Sequence, residues 1–132
     1  MDNPLCPNDG TEMRRGTRRT ALNYKSHGTE VEMPGWYCDM CGEGIHSGHD
    51  LRVSDRALNR MKAAEDRLLL PEDIRRIRKK LKLAQTEAGE VIGGGPRAFQ
   101  KYEAGDLLPS RGVSSALMLL DRDPMGISAL RR

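Results

Sequence analysis

Three cysteines in the first third of the chain carry the first sign of chemistry. Cys38-Asp39-Met40-Cys41-Gly42 sets two thiols three positions apart and follows the second with glycine. A tight turn over such a stretch aims both sulfurs and nearby backbone N–H groups at one point, which is how a structural metal ion is gripped. Cys6-Pro7-Asn8-Asp9-Gly10 has the same shape, with Asp9 in the place of the second cysteine. A carboxylate oxygen can also ligate zinc, so Cys6, Asp9, Cys38 and Cys41 make a candidate tetrahedral set. His46 and His49 follow the second turn closely and are alternatives for the fourth position; His27 is more remote. An odd number of cysteines in a chain expected to be cytoplasmic argues against a disulfide framework. A redox Cys38/Cys41 pair lacks the βαβ context such pairs sit in. No general base stands out beside the cluster, so the expected zinc is structural and the chain is not expected to be an enzyme.

The second sign is a spacing pattern over residues 85–105. Gln85, Ala88, Gly89, Ile92, Gly93, Phe99, Tyr102, Glu103 and Gly105 stand where a helix-turn-helix needs them. Small Ala88 and Gly89 let two helices cross closely, and Gly93 supplies the positive φ of the sharp turn. Ile92, Phe99 and Tyr102 are apolar knobs between the helices, and Gly105 ends the second one. The pattern resembles the helix-turn-helix of Cro/lambda-repressor-like regulators. Arg97, Gln100 and Lys101 project from the second helix, away from Phe99 and Tyr102. Arginine or lysine pairs with guanine in the major groove and glutamine with adenine, so these three are candidate base readers. Gln85 and the backbone at Gly95 are candidate phosphate contacts. Lys79 and Lys80, just upstream, are further exposed cations. Gly93-Gly94-Gly95 lacks the preceding strand and the Lys-Ser/Thr ending of a nucleotide-binding loop.

Elements must hold these groups in place. Residues 17–24 and 30–37 read as strands with His27-Gly28 between them, a hairpin joining the two cysteine turns in the layout of a zinc ribbon. A helix through Ala57, Leu58, Met61 and Ala64, capped by Asp50 or Ser54, leads to Pro71. From Pro71 the chain reads as five helices. In the first, Ile74, Ile77 and Leu81 share one face and basic residues cover the rest. Ser110 caps the fourth, and Asp123-Pro124 starts a short fifth. The expected fold is therefore α+β: a small β-rich zinc domain at 1–50, a connecting helix and linker at 51–70, and an all-α helix-turn-helix domain at 71–132.

Charge supports that division. Residues 1–66 hold 9 Lys/Arg against 11 Asp/Glu, net −2, and residues 67–132 hold 13 against 8, net +5. A basic half is the footprint of a polyanion binder. No apolar run approaches the ~20 residues that span a bilayer, and the first ten residues carry no secretory signature, so no membrane partner and a cytoplasmic location are expected. With only one Trp, one Phe and three Tyr, the N-terminal part is too poor in apolar side chains to fold without its metal. Two-fold DNA sites pair with two-fold proteins, and Leu117, Met118, Leu120 and Leu130 are the candidate dimer face.

Cysteine turns, a linker helix and a Cro-like domain in this order resemble the MqsA-type antitoxins of bacterial toxin–antitoxin pairs. The likeness is closest over residues 74–105, through Ile92-Gly93-Gly94-Gly95, Phe99, Tyr102-Glu103 and Gly105. It extends to Cys6, Trp36-Tyr37-Cys38 and Cys41. The resemblance implies a homodimer joined through the C-terminal domain, binding a palindromic operator in its own promoter as a transcriptional repressor. It also implies an N-terminal zinc domain that neutralises a protein toxin. Asp9 departs from the family, which has cysteine there. The alternative is a zinc-containing helix-turn-helix regulator without a toxin.

Overall fold

The computed structural model describes residues 2–131; the outermost residues of the expected domains, Met1 and Arg132, lie outside them. The chain divides into two compact units, 1–58 and 59–132.

The first unit is built on an antiparallel sheet of order β1-β2-β3, with β1 at Arg14–Tyr24, β2 at His27–Tyr37 and β3 at Gly44–Ile45. The hairpin turn is Lys25-Ser26, because Tyr24 pairs with His27 across the strands. His27 and Gly28 therefore open β2 instead of forming the turn. Lys25 supplies the positive φ, 52°, that a two-residue hairpin demands, and its ammonium lies 5.5 Å from the Tyr24 ring centre. Both strands begin three residues earlier than their apolar alternation suggests. The arginines of β1 hide the pattern, and each has a partner. Arg19 pairs with Glu30 and Glu32 across the ladder, and Arg14 pairs with Asp39. Arg15 forks onto buried Asp50. The unit's main buried cluster is Cys6, Met13 and Cys38, with Trp36 and Ile45 against it.

The helix α1, Gly48–Glu65, spans the boundary between the units. Its cap is Ser47, not Asp50 or Ser54. Ser47 Oγ accepts the Asp50 N–H at 3.3 Å while the Asp50 carboxylate accepts the Ser47 N–H at 2.9 Å, a reciprocal capping box. Ser54 instead donates to the Leu51 carbonyl.

The second unit holds α2 (Pro71–Lys80), α3 (Gln85–Val91), α4 (Ala98–Ala104), α5 (Arg111–Arg122), a 3-10 turn at Pro124–Gly126 and α6 (Ile127–Leu130). Ile74, Ile77 and Leu81 of the α2 stripe meet Phe99 and Tyr102 of α4 and Val113, Leu117 and Leu120 of α5 in one core. Phe99 and Tyr102 pack edge to face at 5.4 Å, the favoured arrangement for ring quadrupoles. Ser110 Oγ caps α5 by accepting the Val113 N–H at 3.1 Å. Leu117 and Leu120 are 0% and 5% exposed, so they belong to this core and not to a dimer face. Leu130 also packs against it. The exposed apolar residues of α5 are Met118 and Leu119, at 41% and 70%. Among the described residues no helix is long and apolar enough to cross a membrane.

Candidate metal centre and nucleic-acid interface

The two cysteine turns close on each other in the first unit. The Cys6 N–H donates to the Thr11 carbonyl at 2.7 Å and the Gly10 N–H to the Cys6 carbonyl at 2.8 Å. The second turn repeats the arrangement, with Cys38 N–H to the Glu43 carbonyl and Gly42 N–H to the Cys38 carbonyl, both at 2.9 Å. These bonds point Cys6, Asp9, Cys38 and Cys41 inward, and one ligand atom from each lies within 4.8 Å of all the others. Cys6 Sγ and Cys41 Sγ are 3.5 Å apart, and Cys38 Sγ is 3.6 and 3.5 Å from the two Asp9 oxygens. Four donors at zinc bond lengths in a tetrahedron sit about 3.7 Å apart for two sulfurs and about 3.6 Å for a sulfur and an oxygen. The residues present therefore fit a closed four-coordinate metal site.

Local electrostatics differ across the cluster. Burial pushes the Cys6 thiol up to about 11. The Cys41 backbone amide pulls the buried Cys38 thiol down. The Thr11 amide, 2.9 Å from Asp9 Oδ1, holds the Asp9 carboxyl down at about 2. Arg18 braces the second turn, its guanidinium donating to the Gly42 carbonyl and lying 4.5 Å from the Tyr37 ring centre. None of the histidines is among these four donors. His46 Nδ1 donates to the Pro34 carbonyl at 2.8 Å, edge-on to Tyr37, and His49 is exposed.

In the second unit the turn between α3 and α4 is glycine backbone packed on backbone. A Cβ on Gly89 would stand 1.8 Å from the Gly95 carbonyl oxygen, so the smallness of Gly89 serves the turn itself, not only the helix crossing. The Gly95 N–H returns a hydrogen bond to the Gly89 carbonyl at 3.1 Å, which commits that donor internally. Gly93, Gly94 and Gly95 all have positive φ. Gly94 is also hemmed in, since a Cβ there would lie 2.7 Å from the Tyr102 hydroxyl. This turn delays α4 until Ala98, with Arg97 as its N-cap and Gly105, φ 84°, as its left-handed stop.

Arg97, Gln100 and Lys101 lie at i, i+3 and i+4 and are exposed, on the side of α4 opposite buried Phe99 and Tyr102. Among the described residues neither cation has an ion-pair partner. Gln85 is the first residue of α3 and is half-buried.

Sequence reasoning missed the internal use of the basic helix. Arg78 forks onto Glu103 at 2.8 and 2.9 Å and donates to the Leu83 carbonyl at 2.9 Å. The pair is 12% and 7% exposed. Arg76 and Lys80 both hold Asp121, each at 3.0 Å. Lys80, which the sequence offers only as a further exposed cation, is thus tied to Asp121. The signal for the Arg78 pair was Glu103, the one charged residue of the spacing pattern.

Over residues 1–131 the chain matches the family described as the antitoxin component of a bacterial toxin–antitoxin system, MqsA. It is 32% identical to the antitoxin MqsA of Escherichia coli (strain K12) over 136 residues, covering 99% of this chain and 100% of that protein.

Proposed function

Since the chain belongs to the MqsA antitoxin family, we propose that it is a cytoplasmic, non-enzymatic repressor that binds its own operator as a homodimer and neutralises a protein toxin. The observation that carries DNA binding is the α4 face: three long polar side chains in one row, two of them cations free of internal partners. As a helix-turn-helix, α4 enters the major groove, Arg97 and Lys101 address guanine, and Gln100 addresses adenine. Gln85 at the start of α3 contacts phosphate, while Gly95 shapes the turn that presents Arg97. Two copies place two such helices about one DNA turn apart on a palindrome. The dimer face includes the exposed Met118 and Leu119 of α5, in the groove they line with Leu69 and Arg122.

The first unit carries the toxin-binding role. Its zinc is held by Cys6, Asp9, Cys38 and Cys41 and stabilises a unit with a core too small to stand alone. The zinc is structural, because four protein donors leave no open position for substrate.

Anisotropy titration of the full chain onto its own promoter fragment and onto a shuffled duplex, at fixed salt, tests the DNA reading. Arg97→Ala is expected to weaken the promoter complex by roughly 5- to 150-fold, equivalent to about 1–3 kcal/mol, with little change on the shuffled duplex. Equal weakening on both would make Arg97 a phosphate contact. No preference in the unsubstituted protein would overturn sequence-specific binding. Co-purification with the product of the adjacent gene, and relief of any growth arrest that product causes, tests the toxin. Absence of a complex leaves a plain regulator.

A further inference from the structure

We propose that Asp9 sets which metal the first unit holds and how readily it exchanges, an inference that rests on the metal-centre reading above. Three observations support it. The donor set is three sulfurs and one carboxylate. The carboxylate is fixed: Oδ1 takes the Thr11 N–H at 2.9 Å, leaving Oδ2, 3.5 Å from Cys38 Sγ, as the oxygen for the cation. The cluster is also two-sided, because Cys6 and Cys38 are buried while Asp9 and Cys41 are exposed.

Thiolates favour soft cations and carboxylates favour hard ones. One oxygen among three sulfurs therefore lowers the preference for cadmium over zinc that an all-thiolate site would have. It also places a weaker bond on the solvent side, where an incoming chelator arrives first. The buried thiolates grip the ion, and the exposed Asp9 edge is where it enters and leaves. Occupancy of the unit then follows the free zinc level more closely than a four-cysteine site would allow.

The test uses the full chain and the variants Asp9→Cys and Asp9→Asn. Each is loaded with cobalt to read the thiolate-to-metal charge-transfer band. Each is also dialysed against equimolar zinc and cadmium for metal analysis, and competed with a chromophoric zinc chelator. Asp9→Cys is expected to raise the charge-transfer intensity by about one third, as three thiolates become four. It should also shift the bound metal toward cadmium and slow zinc release by about tenfold or more. Asp9→Asn, which keeps the side-chain shape, should speed release.

Identical cobalt spectra and an unchanged cadmium-to-zinc ratio in Asp9→Cys would overturn the inference while leaving a metal centre in place. An unsubstituted protein that retains no stoichiometric metal would remove the centre itself, and this inference with it.

Discussion

Glu103→Gln should destabilise the second unit far more than a surface substitution does. Glu103 and Arg78 are nearly buried, at 7% and 12% exposure, and the contact is a two-pronged fork. Removing one partner of a buried pair costs about 3–5 kcal/mol, because the other charge is stranded in a low-dielectric site. Arg78 keeps the Leu83 carbonyl at 2.9 Å and the one amide oxygen of the glutamine as acceptors, which places the loss at the lower end, about 3 kcal/mol. For a unit of this length each kcal/mol moves the melting temperature by about 4–8 °C, so the fall should be about 12–24 °C. Far-ultraviolet circular dichroism of the full chain reads it, since the helices α2 to α6 lie in this unit. The double variant Arg78→Met, Glu103→Leu leaves no orphan charge and should recover most of the loss, as apolar replacements of buried pairs often do. A single-variant loss below about 1 kcal/mol, or a double variant no better than the sum of the singles, would refute the assignment of this pair as a tie between α2 and α4.

Gly89→Ala should cost about 3 kcal/mol or more in urea unfolding, because the new Cβ meets the Gly95 carbonyl and not a side chain that can swing away; a loss under 1 kcal/mol would mean the turn is looser than described. Asp121 is held well below the usual carboxylate range, first by Arg76 and then by Lys80. A depressed carboxylate contributes stability above its unfolded value near 3.9 and loses it as pH falls through that value toward the folded one. Asp121→Asn should therefore be less stable at neutral pH and show a shallower acid limb below about pH 4, read by helix signal against pH; parallel limbs would contradict the pairing. Lys82 sits at φ 60° after α2, so Lys82→Gly should raise the unfolding free energy by about 1 kcal/mol, read as a higher urea midpoint at unchanged slope.

The elements defined by spacing were the readable ones. Gly89, Gly93, Phe99, Tyr102 and Gly105 each answer a backbone or packing demand that only a few residue types meet, so their order alone implies two helices and a turn. The four candidate donors were readable for the same reason, since each turn needs its sulfur or oxygen at a set offset and a glycine after it. What stayed hidden depends on which partner a side chain chooses, near or far in sequence. The arginines of β1 obscure its alternation because they pair with Asp50, Glu30 and Glu32. Ser47 caps α1 only because Asp50 turns back to it. Leu117 and Leu120 could not be told from Met118 and Leu119 by composition, as all four are large and apolar. Helical phase separates them, and it is fixed by Ser110 and Val113 at the start of α5.

Charge shows most clearly how a count differs from a usable field. The second half of the chain carries 13 basic residues, but Arg76, Arg78, Lys80 and Arg131 are held by Asp121, Glu103 and Glu87. The pairs of Arg76, Arg78 and Lys80 draw α2 onto α4 and α5, and a cation already bound to a carboxylate gains less from a phosphate because it must give up a partner. Arg75 and Lys79 share one exposed stripe of α2 at i and i+4, Lys82 follows the helix, and none of the three has an ion-pair partner among the described residues. With Arg97 and Lys101 at α4 they are among the cations whose charge is available to a polyanion. Only such contacts release counterions on binding, and only they steepen its salt dependence. The basic helix is thus split by its own periodicity: the flanks facing α4 and α5 build the scaffold, and the remaining stripe contributes field.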